Sequence, residues 1–162
     1  MQLIDTTYLS TYTSVSSQED AKKLNAAILQ AGQFHVEPLI GVDHKATLEG
    51  QLEPNQAGSA PWQKLLALVR PFYALATQYD LLLDRLVEVA AKGNMQPEGT
   101  APLEIIKLRR EDIQAKMAML RDQIVAHLAA HPEEFGQPER PAAPTQHSLL
   151  ILVHTPPVYF GG

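Results

Sequence analysis

Apolar residues recur at helical intervals in three segments of this chain. In the first segment, Leu24, Ile28, Ala31 and His35 follow one another at intervals of four, three and four residues. Positions with this spacing lie on one face of an α-helix. Longer stretches of the same pattern occupy Leu65, Leu66, Val69, Phe72, Tyr73, Ala76, Tyr79, Leu83, Leu86 and Val87, and then Ile106, Ile113, Met117, Leu120, Ile124 and Leu128. The sequence therefore predicts three amphipathic helices.

The first of these helices has recognisable start and stop signals. Ser16 with Glu19 three residues later forms a capping box, in which each side chain bonds to the other residue's backbone N–H. This pair predicts that the helix starts at Ser16. Pro38 disfavours helical geometry at the residue before it, so the helix is expected to end near Val36.

Two aspartates predict shorter helices. Asp43 can cap a short helix that carries Leu48 and Leu52 on one face. Asp5 can cap a short turn or helix around Leu9. The helix after Asp43 completes a set of four main helical segments.

Prolines divide the two long helices from their surroundings. Pro61 suits the first turn of the second long helix, which is expected to stop by Gly93. Pro71 lies inside it and has no N–H to donate, so we expect a kink or break there. Thr100 can cap the last helix, which should end before Pro132.

The pattern predicts an all-α fold with an extended C-terminal arm. Helical stripes can be buried only against one another, which gives a small bundle of about four main helices over residues 1–135. Residues 136–162 are expected to form a proline-rich linker and arm. Residues 148–154 are an apolar run, short and β-branched enough for a β-strand without an obvious partner strand.

The C-terminal arm is the segment best suited to contact another molecule. Six of the twelve prolines fall in the last 31 residues, and residues 141–162 contain no Asp, Glu, Lys or Arg. An apolar strand on a stiff linker is suited to strand addition to another protein's sheet. The expected contact residues are Leu149, Leu150, Ile151, Leu152, Val153, Val158, Tyr159 and Phe160. Alternatively, the strand folds back on the bundle or pairs with residues 2–4.

Composition excludes several classes of protein. The 162 residues carry a net charge of −5 and no cysteine, which excludes a disulfide framework and thiolate metal sites. The apolar runs are too short to span a membrane, and residues 1–5 lack the basic start of a signal peptide. We therefore expect a soluble intracellular protein with no membrane contact. An acidic chain without a dominant basic block also does not suit a dedicated nucleic-acid-binding protein.

Two groups of histidines could carry chemistry, and each has a simpler interpretation. His127 and His131 are four residues apart and could hold a metal, but the helix dipole also favours histidines in a last turn. His35, Glu37 and His44 could supply an acid–base pair, but His35 falls on the apolar stripe, where packing and a backbone hydrogen bond are expected. No phosphate-binding glycine loop, nucleophile elbow or HExxH motif is present. We expect no catalysis, no cofactor and no metal.

Residues 107–121 are locally basic. This stretch contains two acidic side chains and five basic ones, which are Lys107, Arg109, Arg110, Lys116 and Arg121. The simpler interpretation is a solvated helix face. The alternative is a basic surface that contacts an acidic neighbouring subunit or, without sequence specificity, the DNA backbone. Binding that weakens with salt would distinguish the two.

Several stretches of the chain together resemble one family of phage proteins. Residues 26–41 resemble a helix followed by an x-Pro-Leu-Leu-Gly corner, and residues 131–135 read His-Pro-Glu-Glu-Phe. Between them lie a Trp-x-x-Leu-x-x-Leu-x-x-Pro helix (Trp62, Leu65, Leu68, Pro71) and a helix with Leu108, Arg109 and Arg110. Over about residues 3–135 the chain resembles head–tail connector proteins (adaptor or head-completion proteins) of tailed phages and prophages, notably those of Bacteroidetes.

The resemblance implies an all-α structural protein without catalytic activity. The implied partners are copies of itself in a homo-oligomeric ring, the portal protein, and neighbouring neck or tail proteins. The implied location is the head–tail junction of the virion, after synthesis in the host cytoplasm. An alternative function is a non-viral helical module that captures a partner by C-terminal strand addition.

Overall fold

The protein is described by a computed structural model, which describes residues 2–16, 19–52, 58–91 and 103–136. Within these ranges every regular element is helical, as the sequence predicts. The elements are α1 (Thr6–Tyr12), α2 (Ala21–Ala31), a π-helical segment (Gly32–Val36), α3 (Glu37–Ile40), α4 (Val42–Gly50), α5 (Ala60–Ala91), α6 (Leu103–Ala130) and α7 (Pro132–Phe135). The predicted linker and the strand at residues 148–154 lie outside the described residues.

Helices α5 and α6 form an antiparallel hairpin at the centre of the fold. His127 near the end of α6 contacts the backbone of Pro61 at the start of α5. Further along the pair, Arg110 of α6 lies over the ring of Tyr79 of α5. The two helices pack together because each presents an apolar stripe, as their periodicity predicts.

The hydrophobic core has two parts. The larger part joins α1 to α7 around α5 and includes the non-helical Leu3 and Ile4, which are fully buried. The smaller part lies between α5 and α6 and consists of Leu75, Leu82, Ile106 and Ile113. The N-terminal helices therefore cover only one portion of the long hairpin.

The start of α2 differs from its prediction. Asp20, and not Ser16, is the N-cap, and its side chain accepts a hydrogen bond from the backbone N–H of Lys22 at 2.8 Å. Glu19 forms an ion pair with Arg85 of α5. The carboxylate that the capping box requires is thus paired with another helix, and the adjacent aspartate caps instead.

The helical path also continues past the predicted end at Val36. A π-helical turn follows α2, and α3 then carries Pro38 in its first turn before the chain turns at Gly41. A π-turn inserts an extra residue and interrupts the regular hydrogen-bond pattern. Pro38 then lies in the first turn of α3, where the lack of a backbone N–H is tolerated. Gly41 ends the run with a φ of +86°, a left-handed conformation that favours glycine.

Two of the predicted caps have different outcomes. Asp5 caps α1 as predicted, since its Oδ1 accepts from the backbone N–H of Tyr8 at 2.7 Å. Asp43 is not a cap, because α4 starts at Val42 and Asp43 already lies in its first turn. Leu48 on this helix is fully buried, as the stripe predicts.

Helix α5 runs without a break through Pro71, so of the predicted kink or break the break does not occur. Pro71 is buried, and its neighbours Val69, Phe72 and Tyr73 are core residues. Packing on several sides therefore maintains helical geometry where the backbone lacks one hydrogen bond. Within the described ranges, no helix combines the length and the apolar character that crossing a membrane requires.

Candidate functional site

The three residues predicted as an acid–base group are separated in the structure. The Nε2 atom of His35 lies 3.1 Å from Oδ1 of Asp80 on α5, so the expected backbone bond is replaced by a carboxylate contact. Glu37 binds the ammonium of Lys45 at 2.7 Å. His44 donates from Nδ1 to the carbonyl of Ile40 at 2.5 Å. Each group has its own partner, and these contacts join the π-helical segment to α5 and α3 to α4.

Aromatic side chains from α4, α5 and α6 and from the junction before α7 surround Phe135 of α7. We call this group the histidine cage. The distances from the Phe135 ring centroid are 4.8 Å to Trp62, 5.7 Å to His127, 5.8 Å to His44 and 6.4 Å to His131. Phe135 is only 7% exposed, although α7 is a single helical turn at the end of the described chain. Ring packing therefore fixes the point from which residues 137–162 follow in sequence.

Hydrogen bonds orient the histidines of the cage. His127 is 6% exposed and donates from Nε2 to the carbonyl of Pro61 at 2.8 Å. Nδ1 of His131 lies 3.3 Å from a carboxylate oxygen of Glu133. The rings of His127 and His131 are 4.8 Å apart, edge to face. Over the described residues, no three side chains of His, Asp or Glu form a group that could hold a metal ion.

A buried tyrosine connects α5 to the π-helical segment. The hydroxyl of Tyr73 donates to the carbonyl of Ile28 at 2.7 Å. Burial raises the pKa of Tyr73 to about 12, and the carboxylates of Glu49 and Glu37 act in the same direction. The Tyr73 hydroxyl also lies directly against Gly32, at the place where a Cβ atom would be. This close approach explains why the residue at position 32 has no side chain.

A small cavity lies where the N-terminal segment meets the hairpin. It has a volume of about 30 Å³, and its polar lining includes Glu19, Gln78, Arg85 and Arg109. The Gln78 amide donates to the hydroxyl of Ser14 at 2.6 Å. A volume of this size suits a water molecule and is too small for an organic substrate.

The predicted basic stretch divides into residues with different environments. Arg110 is half-buried, with its guanidinium 4.3 Å from the ring centroid of Tyr79. Lys116 and Arg121 lie near acidic neighbours on the same helix, Asp112 at 2.6 Å and Asp122 at 3.7 Å. Lys107 and Arg109 are exposed and form no ion pair with a described residue. These two cations are the ones most available to an outside anion.

Exposed apolar side chains form a feature that the sequence analysis missed. They are Tyr12, Leu29, Phe34, Val42, Leu83, Val87, Ile105, Leu108, Met119 and Val125, each between 41% and 67% exposed. Leu83 and Val87 were expected on the buried stripe of α5, and their exposure corrects that expectation. The signal was present in the sequence as large apolar residues, such as Phe34, that do not fit the helical stripe.

Three of these residues share one side of α6. At 100° per residue, Ile105, Leu108 and Met119 fall within an arc of about 60°. The centre of this arc is turned by about 120° from the buried Ile106 and Ile113, and the ion pair of Asp112 with Lys116 lies on the same side, between Leu108 and Met119. We call these three side chains the outer stripe. A second exposed set, Leu29, Phe34 and Val42, comes from α2, the π-helical segment and α4, and we call it the N-terminal patch.

The predicted contact residues of the C-terminal arm, from Leu149 to Phe160, lie outside the described residues, so their contacts stay a prediction. Comparison of the chain with protein-family models, with curated proteins and with solved structures finds no match in any of the three. Functional inference therefore rests on the chain's own surfaces and on its sequence resemblance.

Proposed function

We propose that this protein is a structural subunit of a tailed-phage neck, a head–tail connector that forms a ring of identical copies between the portal and the tail. The observation that carries the proposal is the outer stripe of α6. Ile105, Leu108 and Met119 are exposed by 44%, 65% and 55% on a side of α6 that is turned by about 120° from its buried residues. Burial of such side chains against a neighbouring molecule is favourable, and larger exposed apolar patches commonly mark interaction sites.

A ring needs two different surfaces on each subunit. In a cyclic assembly of more than two copies, the contact is head to tail, so one surface of a subunit meets a different surface of the next. The outer stripe and the N-terminal patch, which includes Phe34 at 67% exposed, come from different elements of the fold. In our proposal these two surfaces pair between neighbours, and the arm at residues 136–162 reaches an adjacent subunit or neck protein.

The sequence resemblance supports the same role independently of these surfaces. The segments that carry it are residues 26–41, the helix from Trp62, the Leu-Arg-Arg helix and residues 131–135. The protein would then act by packing and positioning, with no chemical step. Its expected partners are its own copies, the portal protein and the next neck or tail protein. Genes for portal, capsid and tail proteins next to its own gene would strengthen the proposal.

The size of the assembly tests the proposal directly. Light scattering and negative-stain electron microscopy of the full chain, alone at high concentration and mixed with the portal protein, should reveal rings. Leu108→Asp should reduce ring formation, because it places a charge in the outer stripe. Gln114→Asp adds the same charge at an exposed polar position of α6 and should assemble normally. A chain that remains monomeric under all these conditions contradicts the proposal.

The second surface has its own matched pair. Phe34→Asp should weaken assembly, whereas Gln33→Asp, also exposed and adjacent in sequence, should not. Deletion of residues 141–162 should abolish assembly while circular dichroism shows unchanged helical content. Unchanged assembly in this deletion would exclude the role proposed for the arm.

The apolar run at residues 148–154 supports a second candidate function. A non-viral helical module could use this segment to add a strand to the sheet of a soluble partner. In that case the chain itself would be monomeric, and the deletion would remove partner binding without affecting self-association. The two functions thus predict opposite results in the size measurement of the full chain alone.

Contact with DNA in the channel is a subsidiary part of the connector proposal. Arg109 is exposed and Arg110 is engaged with Tyr79. Arg109→Ala should therefore weaken any salt-sensitive DNA binding more than Arg110→Ala does. Equal DNA binding by the wild type and Arg109→Ala would leave the basic residues as a solvated or subunit-facing surface.

A further inference from the structure

The histidine cage brings three titratable rings together around one buried phenylalanine. Phe135 belongs to α7, a helix of only one turn, which is attached to the bundle mainly through this ring. Its neighbours His44, His127 and His131 come from α4, from α6 and from the junction before α7. Histidine is the side chain whose ordinary titration range lies near neutral pH. The attachment of α7 thus depends on imidazole rings, which become positively charged when they gain a proton.

The hydrogen bonds define which nitrogen atoms are available to a further proton. Carbonyl oxygens only accept, so Nδ1 of His44 and Nε2 of His127 must carry hydrogen where they contact Ile40 and Pro61. In the neutral rings the remaining nitrogen, Nε2 of His44 or Nδ1 of His127, is then free of hydrogen. Protonation at that atom makes the ring a cation and adds a donor that needs an acceptor or water.

We propose that the histidine cage is an acid-sensitive latch, which holds Phe135 and α7 on the bundle while the imidazoles are neutral and releases them when acid charges the rings. The latch is a property of a single chain and does not depend on the proposed assembly role. Its consequence is a pH-dependent change in the position of α7, after which residues 137–162 follow in sequence.

Burial and like charge both act against the protonated cage. His127 is 6% exposed, and its second ring nitrogen has no hydrogen-bond partner among the described residues. A charged ring at this position loses hydration that the surrounding aromatic rings do not fully replace. The ring of His131 is only 4.8 Å away, so two imidazolium ions would repel each other. Movement of α7 away from the cage would admit water and separate the charges.

Carboxylates around the cage act on only one of its histidines. Glu133 of α7 contacts His131, and a hydrogen bond from its own backbone N–H, with a smaller contribution from His131, lowers the pKa of the Glu133 carboxyl. Glu133 therefore stays ionised in mildly acidic solution and favours a positive charge on His131. On α4, Lys45 is paired with Glu37. No described carboxylate contacts His44 or His127, so charging these two rings is the step that opens the latch.

Glu49 of α4 and Arg70 of α5 are half-buried. Apart from these and from Lys45 and Glu133, the charged groups nearest in sequence to the cage residues are exposed to solvent. They are Asp43 on α4, Lys64 on α5, Arg121 and Asp122 on α6, and Glu134 on α7. Water and salt screen these exposed charges, so they act only weakly on the buried rings. The pH response is therefore assigned to the cage histidines themselves.

Two cysteines introduced into the cysteine-free chain can measure the opening directly. Lys64→Cys on α5 and Glu134→Cys on α7 are exposed positions on either side of the cage, suitable for spin labels. The distance between the labels should be short and narrowly distributed at pH 8, and longer and broader at pH 5, while circular dichroism reports an intact bundle. Trp62, the only tryptophan in the chain, should show a parallel red shift in its emission.

Histidine variants identify the groups responsible. In the labelled protein, His44→Gln with His127→Gln should remove the dependence of the distance on pH, whether the latch is then held closed or open. His35→Gln is the matched control, because His35 contacts Asp80 outside the cage, and it should keep the full response. An unchanged wild-type distance between pH 8 and pH 5, or a response that persists in the double variant, overturns the proposal.

Discussion

The hydroxyl of Tyr73 occupies the place where a side chain on residue 32 would begin. Tyr73 lies on α5 and Gly32 at the start of the π-helical segment, so their contact sets how closely these two elements approach. The same hydroxyl donates to the carbonyl of Ile28, one turn before Gly32. One tyrosine thus determines both the spacing and the register between α5 and the end of α2.

This relationship predicts that Gly32→Ala destabilises the protein even though alanine is the better helix former. Alanine in a helix is favoured over glycine by about 1 kcal/mol, but a Cβ at position 32 would collide with the Tyr73 side chain. Overpacking in a core costs about 1–3 kcal/mol. We expect the free energy of unfolding in urea to fall by about 1 kcal/mol.

The double variant Gly32→Ala with Tyr73→Phe provides the control. Removing the hydroxyl removes the nearest colliding atom, so the two substitutions should be less harmful together than the sum of their separate effects. Strict additivity of the two losses would show that the contact does not limit the approach of these elements.

Alkaline pH should weaken the fold through Tyr73. Its pKa is raised to about 12 in the folded protein, against 10.0 for an ordinary tyrosine. A group with a raised pKa contributes stability below the unfolded value and loses it as the pH rises through the folded value. Unfolding free energies measured from pH 9 to pH 12 should therefore fall, with about 2 kcal/mol of the loss due to this residue.

Tyr73→Phe isolates this contribution. The variant starts from a lower stability, because the bond to the Ile28 carbonyl is gone, but it should lose less stability between pH 10 and pH 12 than the wild type does. Parallel pH curves for the two proteins would show that other groups, such as the remaining tyrosines and lysines, account for the whole effect.

Pro71→Ala should stabilise the protein by about 1 kcal/mol. A proline inside a helix costs about 3 kcal/mol, and α5 is helical on both sides of Pro71. Alanine restores the backbone N–H, although part of the gain is offset by the loss of the buried ring and by a more flexible unfolded chain. The midpoint of urea unfolding measures the change. Pro61→Ala in the first turn should bring no such gain, because the N–H is not needed there.

Arg110→Ala should lower the unfolding free energy by about 0.5–1 kcal/mol, the value of a cation–π contact at a partly exposed site. The guanidinium of Arg110 covers Tyr79 and so links α6 to α5. Arg109→Ala is the matched control, because Arg109 is exposed and stacks on no described ring. Equal effects of the two substitutions would mean that the stacked geometry adds nothing to stability.

Sequence periodicity was sufficient for the long helices but not for their interruptions. The stripe from Ile106 to Leu128 predicts α6 correctly, because apolar residues recur at helical intervals and neither glycine nor proline interrupts Leu103–Ala130. A kink or break was expected at Pro71, and α5 continues through this position, where Pro71 is buried among core residues. The π-turn before Pro38 had no recognisable signal in the sequence, and Tyr73, which packs against Gly32 at its start, lies far along the chain on α5.

The candidate surfaces were less predictable than the helices. His127 and His131 were recognised as a pair, but Phe135 and Trp62 were not placed beside them, because these contacts join residues that are far apart in the chain. His35 was expected to form a hydrogen bond with the backbone, whereas its partner is the carboxylate of Asp80, 45 positions later in the chain. Spacing along one helix reveals which residues share a face, but not which face of another helix they meet.

The division of the core into a larger and a smaller cluster has a consequence for the cooperativity of unfolding. Near Trp62 and His127, the pair α5–α6 is enclosed by the N-terminal helices and α7, whereas Leu75, Leu82, Ile106 and Ile113 form a smaller buried cluster between the two long helices. The second region has fewer buried neighbours, so it should open at a lower free energy than the whole molecule unfolds. Native-state hydrogen exchange would then show a gradient along both helices, with the slowest amides near Val69 and Ile124. A molecule built in this way can rearrange one end of its hairpin while the other end keeps the fold.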